Sequence, residues 1–179
     1  KGELGGNYQE KNANTVLTAA IHLYNKGVIK NTESIEKGFA NVCEMTGLMG
    51  RWQTIQKQPL VICDTGHNAG GWKYLSQQIK HTPCKQRRIV FGMVDDKDLH
   101  SVMGMLPDDA VYYWTQPSTH RAFTVHKVSE TADAYNLQGK QYPTVMEAYR
   151  AALVDANKDD FIFVGGSSYV VADLLAGLQ

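Results

Sequence analysis

The sequence predicts an α/β protein with a Rossmann-like, mostly parallel sheet flanked by helices and preceded by a helical pair. Three observations carry that expectation. From residue 60 onward short apolar runs alternate with amphipathic stretches; polar and glycine residues follow each run; and the first 50 residues show helical spacing alone. Strands separated by helices are βαβ units, whose crossovers place parallel strands in one sheet with helices on its faces. The expected organisation is a helical lead-in over residues 1–50, packed on an α/β core over residues 51–179.

In the lead-in, Leu17, Ala20, Ile21 and Tyr24 recur at helical intervals within residues 13–24, and Gly27 is placed to end that helix. Thr32 is a candidate cap for a second helix, Glu33 suits its first turn, and Ile35, Phe39 and Val42 are expected to form its buried stripe. Residues 45–51, with Gly47 and Gly50, read as a loop that leads into an extended stretch from Trp52 to Ile55. Then Leu60 to Cys63 reads as a buried strand, followed by a helix on Trp72, Leu75 and Ile79. Ile89 to Phe91 is the next strand, with a helix on Leu99, Val102 and Leu106. Ala110 to Trp114 is a third, backed by a helix on Val125, Val128, Ala132 and Tyr135. Thr144 and Glu147 form a capping box for the following helix. The strand Phe161 to Val164 and a helix through Val170, Val171, Leu174 and Leu175 close the chain.

Composition narrows the function. The 179 residues hold 18 Lys and Arg against 18 Asp and Glu, with 43% hydrophobic and 20% charged residues. That is a globular composition without the cationic excess of a nucleic-acid binder. Its one dense basic run, Lys85, Arg87 and Arg88, reads as a solvated strand entrance. Cys43, Cys63 and Cys84 are odd in number and widely spaced, neither a disulfide framework nor a zinc pattern, so a reducing, cytoplasmic setting is expected. The start lacks a leader's apolar region, and the apolar tail is broken by Gly165, Gly166 and Asp173, so no membrane segment is expected. A first residue other than Met points to a piece of a longer protein, with processing as the alternative.

Ligands of open parallel sheets bind beyond the strand carboxyl ends. Those exits read Asp64-Thr65-Gly66-His67-Asn68, Gly92 to Asp98, Thr115 to Arg121, and Gly165-Gly166-Ser167-Ser168. Asp64 ends an apolar strand, so it either caps the next helix or meets a ligand. His67 titrates near neutrality when unperturbed and suits proton exchange or a local hydrogen bond. One thiol and one imidazole do not make a zinc site, and no metal site is expected in this chain. Arg51, between a glycine and a tryptophan, suits either phosphate oxygens or a surface ion pair. Asn12 suits an adenine edge or a cap. The acids Asp96 and Asp98 read as a helix start. Neither a Walker A loop, a G-x-G-x-x-G fingerprint nor a G-x-S-x-G elbow is present, which counts against a self-contained P-loop enzyme, a dinucleotide dehydrogenase and an α/β-hydrolase.

Taken in order, Gly6-Asn7-Tyr8-Gln9-Glu10-Lys11-Asn12-Ala13, Gly50-Arg51-Trp52, Val61 to Asn68, Phe91-Gly92 with Asp96-Lys97-Asp98, and Gly165 to Tyr169 resemble the C-terminal part of the folylpolyglutamate synthases, which often double as dihydrofolate synthases and are related to the Mur ligases. The resemblance runs nearly end to end. It implies an ATP-dependent ligase that activates a folate or pteroate carboxylate as an acyl phosphate for attack by L-glutamate. It places the P-loop and the magnesium ligands in a central domain upstream, so this chain alone is expected to be inactive. By motif position it implies nucleotide contacts for Asn12, Arg51 and Asp64, a role for His67 at the closing interface, and a place for Ser167 on the amino-acid side. Thr65-Gly66 departs from the family's glycine-alanine, and Met49 stands where a proline commonly precedes glycine-arginine. Asn12, Arg51 and Asp64 are expected to converge at one rim of the sheet. A Mur-type peptide ligase domain and a non-catalytic nucleotide-binding module are the rival readings.

Overall fold

Residues 2–179 are described in a computed structural model. They divide into a helical unit ending at Gln53 and a sheet unit starting at Thr54.

The helical unit holds α1 (Gln9–Asn25), α2 (Thr32–Ala40) and α3 (Val42–Thr46). Gly27 adopts φ 74°, and the N–H of Val28 reaches the Leu23 carbonyl at 3.0 Å, so α1 stops where the glycine allows a left-handed turn. Asn31, not Thr32, caps α2: it is extended, and its side chain accepts the Ser34 N–H at 2.8 Å, while Thr32 is the first helical residue. Part of the expected loop is the short α3, whose N–H of Cys43 is accepted by the Glu3 carboxylate at 2.6 Å. That cap comes from 40 residues away, beyond the reach of local pattern. The expected pair is therefore three helices. Among the described residues of this unit only Gly50 is buried, so the stripe of Ile35, Phe39 and Val42 expected to be buried is only part-buried, with no element of the unit covering it. Val16, Ile35, Phe39 and Val42 line an open cavity of about 570 Å³.

The sheet contains β1 (Gln53–Lys57), β2 (Leu60–Asp64), β3 (Arg87–Phe91), β4 (Ala110–Trp114), β5 (Gly139–Gln141) and β6 (Phe161–Gly165), in the spatial order β1-β2-β6-β3-β4-β5. Two residues join β1 to β2, too few for a crossover, so this edge is an antiparallel hairpin. The pairs β2·β6, β6·β3, β3·β4 and β4·β5 are parallel. Between the strands run α4 (Ala69–His81), α5 (Leu99–Met103), α6 (Val125–Asp133) and α7 (Val145–Asp155), and α8 (Ser168–Gly177) ends the chain. Phe161 to Val164 on β6 are wholly buried, as a central parallel strand covered on both faces requires. Thr144 caps α7 by accepting the Glu147 N–H at 3.2 Å, as the capping box predicts. β5 is an addition to the sequence reading, since Gly139, Lys140 and Gln141 are exposed and show no apolar alternation. A Cβ on Gly139 would stand 2.5 Å from the Trp114 indole nitrogen, so glycine lets this edge strand approach β4.

The basic run is not a solvated entrance. Only Lys85 stays exposed, beside Asp159. Successive strand residues face opposite sides. Arg87 turns to the end of α4, where it donates to the Ile79 and Lys80 carbonyls at 3.0 and 2.9 Å and pairs with Asp109. Arg88 donates to Asp160 at 3.1 and 3.2 Å and to the Tyr113 hydroxyl at 2.9 Å, which in turn donates to Asp155. Burial and the Asp155 bond push the Tyr113 hydroxyl up to about 12, so it remains a donor. Replacing Asp160 by Ala leaves Arg88 buried without its countercharge. The expected cost is about 3–5 kcal/mol by urea unfolding, and a loss below about 1 kcal/mol, the range of exposed pairs, would contradict this account.

Candidate functional site

Glycines let backbones crowd together at the carboxyl ends of β2, β6 and β3. Gly165 is the register partner of Asp64, and a Cβ there would lie 2.7 Å from the Asp64 carbonyl. Gly166 has φ 101°, and a Cβ on it would meet the Gly92 carbonyl at 2.4 Å. Gly92 in turn admits the Thr115 carbonyl. The exits of the neighbouring strands β2, β6 and β3 are therefore drawn to one small area by backbone contact alone.

Asp64 sits there fully buried, its carboxylate accepting the Gly66 N–H at 2.8 Å. It is not the cap of α4. That place belongs to Asn68, extended and accepting the Gly71 N–H at 2.9 Å. Asp64 thus shapes the turn between strand and helix while its carboxyl group stays at the strand exit. His67 is half-exposed, with Nδ1 at 3.0 Å from the Thr65 carbonyl. A carbonyl only accepts, so Nδ1 bears the proton of this contact. Ser167 is buried two residues beyond Gly165 and caps α8, accepting the Tyr169 N–H at 3.2 Å. Its O–H remains a donor. Asp64 and Ser167 are thus brought together through the β2·β6 register, with His67 three residues on from Asp64.

Asn12 and Arg51 lie in the helical unit. Asn12 is in the first turns of α1, not at its cap, donates to Gln9 at 3.2 Å and lines the open cavity. Arg51 is half-buried, and it makes no hydrogen bond or ion pair among the described residues. The surface ion pair considered for it is absent among them.

The loops after β3 and β4 hold the acids read as a helix start together with Ser118 and Arg121, to which the sequence gave no role. They are joined by Asp95 N–H to the Arg121 carbonyl at 2.8 Å and Phe123 N–H to the Met93 carbonyl at 3.0 Å, and Asp96 pairs with both Lys97 and Arg121. Asp98 caps α5, and its bonds from Ser101 hold its carboxyl below the usual range. Asp173 on α8 accepts from the Ser118 N–H and hydroxyl at 2.7 and 2.6 Å. Partners 25 and 55 residues apart leave no local signal.

Among the described residues no group of three or more His, Cys, Asp or Glu could hold a metal ion. Burial and the adjacent Asp64 push the Cys63 thiol up to about 12. It is neither a ready ligand nor a nucleophile. Among the described residues no helix is long and apolar enough to cross a membrane.

The mostly parallel sheet, with β6 inserted beside β2 and glycines lining its exits, is a Rossmann-like α/β fold, and the chain belongs to the Mur ligase family. Residues 50–168 match that family's glutamate ligase domain. Within it, the chain matches the dihydrofolate synthase/folylpolyglutamate synthase of Escherichia coli, with 30% identity over 93% of this chain and 37% of the relative. E. coli FolC in complex with DHPP and ADP superimposes with a TM-score of 0.77 at 28% identity, over 93% of this chain and 38% of that one. The Yersinia pestis bifunctional enzyme, complexed with AMPPNP and a Mn ion, gives a TM-score of 0.65 at 29% identity over 73% of this chain and 31% of that one. The chain therefore spans less than two fifths of these relatives and aligns with their C-terminal region.

Gly166→Ala should destabilise the sheet unit by about 1–3 kcal/mol, the range for overpacking, measured by thermal unfolding. Iodoacetamide at pH 8 should leave Cys63 unmodified in the folded chain and label it after denaturation, as peptide mass mapping would show.

Proposed function

We propose that this chain is the C-terminal domain of an ATP-dependent folylpolyglutamate synthase that also serves as a dihydrofolate synthase. The ligase joins L-glutamate to a folate or dihydropteroate carboxylate in the cytoplasm. The carrying observation is Arg51, a half-buried guanidinium that has no partner among the described residues and lies in a family whose solved members are complexed with ADP or AMPPNP. Its planar fork matches phosphate oxygens bidentately.

In the proposed reaction a carboxylate oxygen attacks the γ-phosphorus of ATP, giving an acyl phosphate and ADP. The amine of glutamate then attacks the acyl carbon, the amide forms, and inorganic phosphate leaves with the C–O bond's electron pair. Arg51 neutralises charge building on the transferred phosphoryl group. Nε2 of His67 accepts the proton that the attacking ammonium must lose. Asn12 and Asp64 contact the nucleotide, and the Ser167 hydroxyl serves the amino-acid side. Water must be kept from the acyl phosphate, which favours a domain that closes over the site.

A P-loop domain is this chain's proposed partner and supplies the ligands of magnesium. Support comes from the length of the relatives and from the helical unit, where α1, α2 and α3 bury none of their residues and leave the apolar cavity open. Helices with an apolar face gain stability by packing it.

The test is kinetic, on the ligase produced at the length of its relatives, with dihydropteroate, tetrahydrofolate and UDP-muramyl acceptors compared. Turnover of the pterin substrates supports the proposal; turnover of the muramyl substrate alone replaces it with a cell-wall ligase. Arg51→Ala should raise the barrier in kcat/KM by about 2–5 kcal/mol. Less than about a threefold loss, under 1 kcal/mol, removes Arg51 from the mechanism.

A further inference from the structure

We propose that Trp52 and Gln53 are positioning residues that hold Arg51 for the phosphate oxygens of the nucleotide, an inference that rests on the reading of Arg51 given above. Arg51 stands between two left-handed residues, Gly50 at φ 72° and Trp52 at φ 48°. Glycine takes that conformation freely, whereas a bulky aromatic residue adopts it only when its surroundings impose it.

Two contacts impose it here. Gln53 Oε1 accepts the Gly50 N–H at 2.7 Å, closing the chain around Arg51 with a side chain in place of a backbone turn. Gly50 is the one buried residue among those described in the helical unit, so the donor end of this bond is buried and the bond is part-buried. On the other side the Trp52 indole and backbone lie against Gly5, where a Cβ would come within 3.3 Å of both Trp52 Cδ1 and its carbonyl oxygen. The loop is therefore fixed before and after Arg51, while the guanidinium itself makes no bond among the described residues. A tied backbone carrying a free cationic head is the arrangement that pre-organises a long side chain for an anion, because less freedom is lost on binding.

The experiment titrates the ¹⁵N-labelled ligase, produced at the length of its relatives, with ATP and, separately, with adenosine, following the Arg51 Nε–H and Gly50 amide signals. Gln53→Met removes the acceptor, Trp52→Ala removes the indole, and Trp52→Phe retains an aromatic ring. The first two should weaken ATP by about three- to tenfold, the freedom of one long side chain, leave adenosine unchanged, and Trp52→Phe should retain most of the wild-type affinity. Equal losses for ATP and adenosine, or no loss for ATP, overturn the inference by leaving the loop a merely structural role. Should Trp52→Ala fail to fold, Gln53→Met carries the same test. Arg51→Ala is run beside them: if it binds ATP like the wild type, or if ATP at millimolar concentration never shifts the Arg51 Nε–H signal, the reading of Arg51 fails first. If Arg51→Ala weakens ATP and the Gln53 and Trp52 variants do not, only the positioning role fails.

Discussion

The insertion of β6 between β2 and β3 is the constraint on which the rest of the sheet unit depends. It makes the last strand of the chain the central one, buried on both faces, so Phe161 to Val164 must be apolar throughout. It also sets Gly165 opposite Asp64 and carries Gly166 to the Gly92 carbonyl, approaches that a side chain at either position would block. The polar exits of three strands thereby share one end of the sheet. Ser167 then follows as the cap of α8, because the chain must leave that crowded turn in an extended conformation before the helix begins.

The opposite end of the sheet is built on different physics. There Arg87 and Arg88 are drawn inward, and each is satisfied: Arg87 by the last carbonyls of α4 and by Asp109, Arg88 by Asp160 and Tyr113. Charges at this depth persist only because several partners meet them at once. The two ends therefore differ in kind, one closed by paired charge, the other by glycines that let backbones meet. In the helical unit the contrast is sharper still. Its backbone is well capped, by Asn31 and by Glu3 from a distance, yet its apolar side chains surround an open cavity.

Much of this was legible in the residues. Asp64 and His67 stand out because a charged group directly after a buried strand is costly unless something answers it, and the exit rule for parallel sheets says where to look. Arg51 stood out for its neighbours, a glycine and a tryptophan, although the reason those neighbours matter, two left-handed residues and a glutamine closing the loop, is a matter of dihedrals and contacts. The alternatives offered for Asp64 and Asn12 as caps were settled by local geometry: Asn68 holds the first place, and Asn12 lies inside α1.

The sequence by itself determined the class of fold, the buried strands and the helix on the capping box at Thr144, because each follows from periodicity or from hydrogen bonds spanning three or four residues. Tertiary structure decided which strand lies at the centre, that β5 exists at all, that two arginines of an apparently solvated run are buried, and that Glu3 caps a helix 40 residues away. Those outcomes depend on partners remote along the chain, whose proximity arises only when the whole sheet forms and makes an exposed-looking charge or an unpatterned tripeptide the better-satisfied choice.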